Sequence, residues 1–145
     1  MAPRAGALIR DGRLWAALAA GPLVCPLLAL LPGVAWAPAL PDPGSLWPWL
    51  AVLVYPPLEE TVFRGGLQPW LARRWRWRLG PVSAANLATS LVFAALHLFY
   101  HPPLWAAGVF VPSLVFGHFR ERHHGLTAPI LLHAWYNASY MVLLA

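Results

Sequence analysis

The chain has 145 residues, of which 59% are hydrophobic and only 10% charged, and its formal net charge is +5. Soluble domains carry about 25% charged residues, so this composition excludes an ordinary water-soluble globule and indicates a lipid-embedded protein. Arginines beside anionic lipid account for the positive charge, so no nucleic-acid partner is needed to explain it.

Prolines and charges divide the chain into apolar stretches close to the roughly 20 residues that a membrane-spanning helix needs. They predict an all-α, polytopic membrane helix bundle of about five transmembrane helices, forming a single domain over residues 1–145. In chain order, the stretches are Leu14–Trp36, Leu46–Leu71, Val82–His101, Leu104–Phe119 and Leu126–Ala145. We expect the prolines within the first two stretches, among them Pro56 and Pro57, to kink or interrupt helices.

All ten basic residues are arginines, and nine of them fall in three groups at residues 4–13, 73–78 and 120–122. Arginine accumulates in cytoplasmic loops, and five spans place all three groups on that side of the membrane. The chain is therefore expected to be an integral membrane protein. The expected location is a bacterial inner membrane. The N-terminus is expected to be cytoplasmic and the C-terminus periplasmic or external.

Glu59 and Glu60 are adjacent in the second stretch, although the whole chain has only five acidic residues. A carboxylate inside a bilayer costs about 2.5 kcal/mol or more, so such a pair is a functional-site hypothesis. Glu60 and Arg64 are four residues apart on one helical face, which predicts a buried ion pair. Glu59 points about 100° away around the helix, so it remains a candidate general base.

Two further stretches carry polar side chains in apolar surroundings. His97 interrupts the third stretch, and His133 and Asn137 are four apart in the last one, which places them on one helical face. Each has a structural alternative: His97 as a hydrogen-bonded core residue, and the other two as interhelical hydrogen-bonding groups. Costly polar groups on three separate spans together favour one shared internal site.

The other polar or reactive residues are given no catalytic role. Those at predicted span ends are interpreted as solvated: His101, His118, Glu121, His123 and His124. Cys25 is interpreted as a packing residue. The glycosylation sequon at Asn137 is predicted to lie within the membrane and is therefore dismissed.

Three motifs in these stretches resemble those of the CPBP group of intramembrane proteases, also called the ABI family. This group includes the CAAX prenyl endopeptidase and bacteriocin-processing proteins. The matching segments are Glu59-Glu60-Thr61-Val62-Phe63-Arg64, Phe93-Ala94-Ala95-Leu96-His97 and His133-Ala134-Trp135-Tyr136-Asn137. Their order and approximate spacing also agree, within a motif core of residues 46–145. The chain has fewer predicted spans than longer members of the family.

The resemblance implies that Glu59, helped by His97, activates a water molecule that attacks a peptide carbonyl. His133 and Asn137 would stabilise the oxyanion, while Glu60 and Arg64 would support the motif helix. The implied substrate is a membrane-anchored protein or peptide, such as a C-terminal sorting tail, and no cofactor is expected. Zinc is the alternative, since two carboxylates and two histidines could bind it. A metal-free mechanism is preferred because Asn137 is a better oxyanion donor than zinc ligand.

Two other functions compete with proteolysis. The first is a non-catalytic membrane peptide-binding or bacteriocin-immunity protein on the same fold, against which the complete motif set argues. The second is a small proton-coupled transporter, because paired carboxylates and histidines also form proton relays. The sequence contains no inverted repeat, which counts against transport.

Overall fold

The computed structural model describes residues 5–30 and 34–144, and most of these residues are helical, which confirms the expected all-α class. The only strands in this part of the chain form a short hairpin. The helices are α1 (Ala5–Ile9), α2 (Gly12–Leu28), α3 (Leu46–Trp49), α4 (Tyr55–Glu60), α5 (Gln68–Ala72), α6 (Ala84–His97), α7 (Pro103–His123) and α8 (Thr127–Leu143). Two π-helical segments, π1 (Leu50–Val54) and π2 (Thr61–Leu67), flank α4, and the hairpin strands are β1 (Arg78–Leu79) and β2 (Val82–Ser83).

The predicted membrane spans differ in length from the observed helices. Among the described residues, no helix combines the length and the apolar character required to cross a bilayer. Helix α2 ends at Leu28, eight residues before the predicted end of the first span, and α6 has only 14 residues. The last predicted span includes Ala145, which lies outside the described residues.

The second predicted span agrees best with the structure in extent. Helical backbone continues through α3, π1, α4, π2 and α5, from Leu46 to Ala72. Pro56 and Pro57 lie inside α4 and have no N–H to donate to a preceding carbonyl, so the regular hydrogen-bond ladder cannot continue through them. The wider π1 turn directly precedes α4, and such turns are frequent at functional sites. The interruption expected at these prolines is therefore a local widening of the helix, and helical backbone continues on both sides of it.

The described residues form two compact units, of which the first comprises residues 59–129. Its core contains the aromatic side chains of Phe93, Phe116 and Phe119, all nearly inaccessible to solvent. Helix α6 begins at the N-cap Ser83, whose hydroxyl accepts a 3.0 Å hydrogen bond from the Asn86 backbone N–H. Pro103 opens α7 at the position where a missing N–H does no harm.

Asn86 joins α6 to α7 inside the first unit. Its Nδ2 donates to the Leu114 carbonyl at 2.9 Å, and its Oδ1 accepts from the Ser90 hydroxyl. The amide lies directly against Gly117: a Cβ added there would be 1.8 Å from Asn86 Oδ1. Only glycine allows α7 to pass this close to a buried amide.

The second unit comprises residues 5–58, without 31–33, and 130–144. Asp11 caps α2 by accepting a hydrogen bond from the Arg13 N–H. Residues of α8 bond to α2 backbone carbonyls: Trp135 Nε1 to Leu18 and Tyr136 Oη to Ala17, both at 2.7 Å. Gly21 permits this close approach, since an added Cβ would lie 3.0 Å from the Tyr136 ring.

The prediction that the first span extends to Trp36 is wrong, because residues 34–43 are not helical. Ala39 N–H instead donates to the Val142 carbonyl at 2.9 Å, and Trp36 forms an antiparallel bridge with Leu144. Pro38, Pro41 and Pro43 explain this conformation, because proline donates no hydrogen bond and keeps the residue before it extended.

Candidate functional site

The Glu60–Arg64 ion pair predicted from the sequence is present in the first unit. Arg64 Nε lies 3.2 Å from Glu60 Oε2, and both side chains are completely buried. Arg64 Nη2 also donates to the carbonyl of Ser113 at 3.0 Å and to its hydroxyl. The guanidinium therefore links the acidic motif on α4 to the middle of α7. A buried charge needs this kind of compensation, because removing it from water costs several kcal/mol.

The ring of Phe93 connects the first two motifs. It lies 4.7 Å from the Arg64 guanidinium carbon and 4.6 Å from the His97 ring centroid. It also meets Phe63 edge to face at 5.0 Å. A cation over an aromatic face is stabilised by the ring quadrupole, most strongly where water is excluded. The Phe-x-x-x-His spacing thus places an aromatic platform one helical turn before the histidine.

His97 is half-buried at the C-terminal end of α6, and its Nδ1 lies 2.8 Å from the Phe93 carbonyl oxygen. A carbonyl only accepts hydrogen bonds, so this contact assigns the proton of the neutral imidazole to Nδ1. The Nε2 atom then carries the lone pair and can accept a proton. In this tautomer Nε2 is the hydrogen-bond-accepting nitrogen of the ring.

His101 belongs to the environment of His97, which corrects its interpretation as a solvated loop residue. It is half-buried, and its ring stacks on Trp105 at 3.9 Å between centroids. The His97 ring lies 5.9 Å from His101 and 5.8 Å from Trp105, with interplanar angles of 21° and 29°. The His97 ring therefore has three ring neighbours: Phe93 and these two nearly parallel rings. The four-residue steps from 93 to 105 were the available sequence signal for this stack.

Glu59 occupies the last turn of α4, next to the buried Glu60, and its side chain is half-buried. Its helix ends where π2 begins at Thr61, so the acidic pair lies at a junction between α- and π-helical backbone. Glu60 is bound to Arg64, whereas Glu59 retains partial access from outside the protein core. This difference between adjacent carboxylates is the one expected from their angular separation.

His133 and Asn137 lie one turn apart on α8, in the second unit. His133 is 6% exposed. Asn137 Nδ2 donates a 2.8 Å hydrogen bond to the carbonyl of Ala51, in π1. The motif asparagine is thus anchored to a π-helical turn of its own unit. A primary amide nitrogen carries two hydrogens, so this anchor uses one of two donors.

Glu60 is one of the side chains that the zinc alternative would use as a ligand. Glu60 is bound to Arg64, so its carboxylate is not available as a simple metal ligand. Within residues 5–30 and 34–144, no three side chains of the metal-binding types are grouped closely enough to hold an ion. The preference for a metal-free mechanism over zinc stays a prediction.

Sequence reasoning missed a second polar cluster in the first unit. The carboxylate of Glu121 accepts from Gln68 Nε2 at 2.9 Å, from Arg78 Nη1 at 3.1 Å and from the Ser83 hydroxyl. Gln68 also donates to the Gly117 carbonyl at 3.1 Å. Glu121 was interpreted as solvated, but it joins α5, the hairpin and α7. Its four-residue spacing from Gly117 and Ser113 on α7 was the signal that could have revealed it.

The described part of the chain is mostly helical and carries the three motifs in order, and comparison with known proteins gives the family. The family described as type II CAAX prenyl endopeptidase Rce1-like matches residues 41–139, and the chain belongs to it. The resemblance to the CPBP proteases is thereby confirmed. An uncharacterized 24.3 kDa protein of Escherichia coli is 35% identical over 92 residues. The match covers 63% of this chain but only 41% of that relative. No solved structure matches the chain.

Proposed function

We propose that the chain is an intramembrane endopeptidase that cleaves a membrane-associated peptide or C-terminal sorting tail by glutamate-activated water. The observation that carries this proposal is the contact of Phe93 with both Arg64 and His97. It joins the acidic motif and the first histidine motif through one aromatic ring, on a chain that belongs to a protease family. A structural ion pair alone would not require a histidine with a proton-accepting Nε2.

In the proposed reaction, Glu59 accepts a proton from water as the oxygen attacks the scissile carbonyl carbon. His97 orients that water through Nε2, because its Nδ1–H is held by the Phe93 carbonyl. The family resemblance assigns stabilisation of the oxyanion formed at the substrate carbonyl to His133 and Asn137, whose N–H groups would donate hydrogen bonds to it. Collapse of the tetrahedral intermediate breaks the C–N bond, and the proton held by Glu59 moves to the leaving amine.

A membrane location is part of the proposal. Leu53, Leu58 and Val62, on the helical segment that carries the acidic pair, are 61%, 59% and 61% exposed. Large apolar side chains so exposed are costly in water but not in lipid. The substrate would then reach the protein laterally, as a peptide already held in the bilayer.

The test is co-expression of the protein with candidate C-terminal membrane tails from the source organism, with products identified by mass spectrometry. Wild type and Asp42→Asn, an exposed acid-to-amide control, should cut the same tail, whereas Glu59→Gln should leave it intact at equal membrane abundance. Equal cutting by Glu59→Gln would reject the mechanism. Specific binding of a tail without cutting would favour the peptide-binding alternative.

A further inference from the structure

The segment from Trp70 to Arg78, here called the Arg–Trp segment, contains three tryptophans and four arginines and no acidic residue. It connects α5 to the hairpin. Its tryptophans 70, 75 and 77 are 50%, 46% and 56% exposed. Tryptophan is normally at least partly withdrawn from water, so three exposed indoles interleaved with cations indicate a contact surface.

The four arginines of this segment are not equivalent. Arg78 pairs with Glu121 at 3.1 Å, and Arg74 lies over the Trp70 ring at 4.0 Å. Arg73 and Arg76 are exposed, and in the described part of the chain they make no hydrogen bond or ion pair. Two guanidinium groups are therefore available for an external anion, each with a planar set of donors suited to phosphate.

The segment is held at both ends, so its exposed groups form a defined surface. The N–H groups of Arg74 and Trp75 donate to the Leu71 carbonyl at 2.9 Å, which terminates α5. At the other end, Ala84 N–H donates to the Trp77 carbonyl, and Arg78 bonds the Pro81 carbonyl inside the hairpin. Gly80, with a φ of +57°, makes the turn that carries Leu79, which is 74% exposed.

We propose that the Arg–Trp segment binds the headgroups of anionic phospholipids through Arg73 and Arg76, with Trp75, Trp77 and Leu79 at the boundary with the acyl chains. Guanidinium groups bind phosphate, while indole rings favour the interface between water and hydrocarbon. Nucleic acid also binds arginine and aromatic rings. Lipid is the better match because Leu79 adds an exposed aliphatic group, and because the family is membrane-embedded.

The experiment uses the purified full chain in dodecyl maltoside micelles. Binding of brominated phosphatidylglycerol, and of brominated phosphatidylcholine as the headgroup control, is followed by quenching of tryptophan emission. The test variant is Arg73→Gln with Arg76→Gln. The matched control is Arg10→Gln with Arg13→Gln, which removes the same two charges from exposed positions elsewhere. Cleavage is not measured, so the result is independent of the proposed enzymatic activity.

Wild type should bind phosphatidylglycerol at least tenfold more tightly than phosphatidylcholine in 50 mM salt. The preference should nearly vanish in 1 M salt, where the screening length falls to about 3 Å. The Arg73/Arg76 variant should lose about thirtyfold in affinity for phosphatidylglycerol, roughly fivefold for each arginine. The control pair should change it less than threefold.

Three results would overturn the proposal. Equal losses in the two double variants would mean that only net charge matters. Equal binding of the two lipids by wild type would remove the headgroup preference. Displacement of phosphatidylglycerol by a single-stranded oligonucleotide at 150 mM salt would assign the surface to nucleic acid.

Discussion

The buried charges of Glu60 and Arg64 depend on each other for stability. Both side chains are fully buried, and Arg64 is further bound by Ser113 and covered by Phe93. Loss of either partner leaves an uncompensated charge in an apolar core. The sequence predicted this pair because residues four apart share a helical face. It could not predict Ser113, since that contact joins residues 49 positions apart.

Arg64→Met should destabilise the protein by about 3–5 kcal/mol, because Glu60 would be left buried without its cation. The double variant Glu60→Leu with Arg64→Met should recover most of this loss, since it removes both charges. Equilibrium unfolding in detergent measures both effects. A double variant no more stable than the single one would contradict the mutual dependence of these two charges.

Gly117→Ala tests the contact between α7 and Asn86. The new Cβ would overlap the Asn86 amide, so we expect a loss of about 1–3 kcal/mol or failure to accumulate. Gly108→Ala, on the same helix with no atom within 4 Å of an added Cβ, is the control. It should be neutral or stabilising by up to about 1 kcal/mol. Similar losses in thermal unfolding for both variants would argue against a local clash.

The ring stack beside His97 predicts that substitution of Trp105 lowers kcat selectively. If stacking fixes the imidazole plane, Trp105→Leu should lower kcat about tenfold with little change in KM, because misorientation of a positioned group slows the chemical step. Trp105→Phe should restore most of the activity. Steady-state kinetics on an identified tail provide the measurement, and equal activity of the Leu and Phe variants would exclude a role for the aromatic ring.

At the scale of elements, the sequence predicts where helices occur better than where they end. The second apolar stretch, Leu46–Leu71, nearly coincides with continuous helical backbone from Leu46 to Ala72. Hydropathy placed the end of the first stretch at Trp36. In the structure, the Pro-rich segment of residues 34–43 is not helical and bonds to the end of α8. Apolar composition indicates burial or lipid contact, but it does not indicate which proline ends a helix.

The contacts of Glu121 predict that this side chain holds the hairpin in place. Glu121→Ala removes the acceptor for Gln68, Arg78 and Ser83, so the hairpin should open more often. We expect trypsin to cut after Arg76 and Arg78 about tenfold faster than in wild type, a change equivalent to about 1.4 kcal/mol. Asp42→Asn is the control for general loosening. Unchanged cleavage at these two bonds would show that Glu121 does not hold the hairpin.

At the scale of the whole molecule, the order and spacing of the three motifs carried the functional prediction, and the family match over residues 41–139 confirms the class. In the first unit Glu60 pairs with Arg64, as their spacing predicted. The contact of His97 with Phe93 was not predicted. The catalytic roles of Glu59, His97, His133 and Asn137 are proposals. Apolar spans constrain side-chain position only through helical periodicity, so the contact of Ser113 with Arg64 could not be predicted. The four-residue spacings that point to Trp105 and to the Glu121 cluster were present in the sequence but were overlooked.

The central claim is that the two adjacent glutamates have different roles, and one paired comparison tests it. Glu59→Gln and Glu60→Gln are purified, and stability and cleavage per folded molecule are measured on the same tail. We expect Glu59→Gln to retain stability while losing about 10²–10⁴-fold in kcat, the usual contribution of a general base. Glu60→Gln should lose stability and keep more of its activity per folded molecule. An active Glu59→Gln, or the two phenotypes exchanged, would contradict the account.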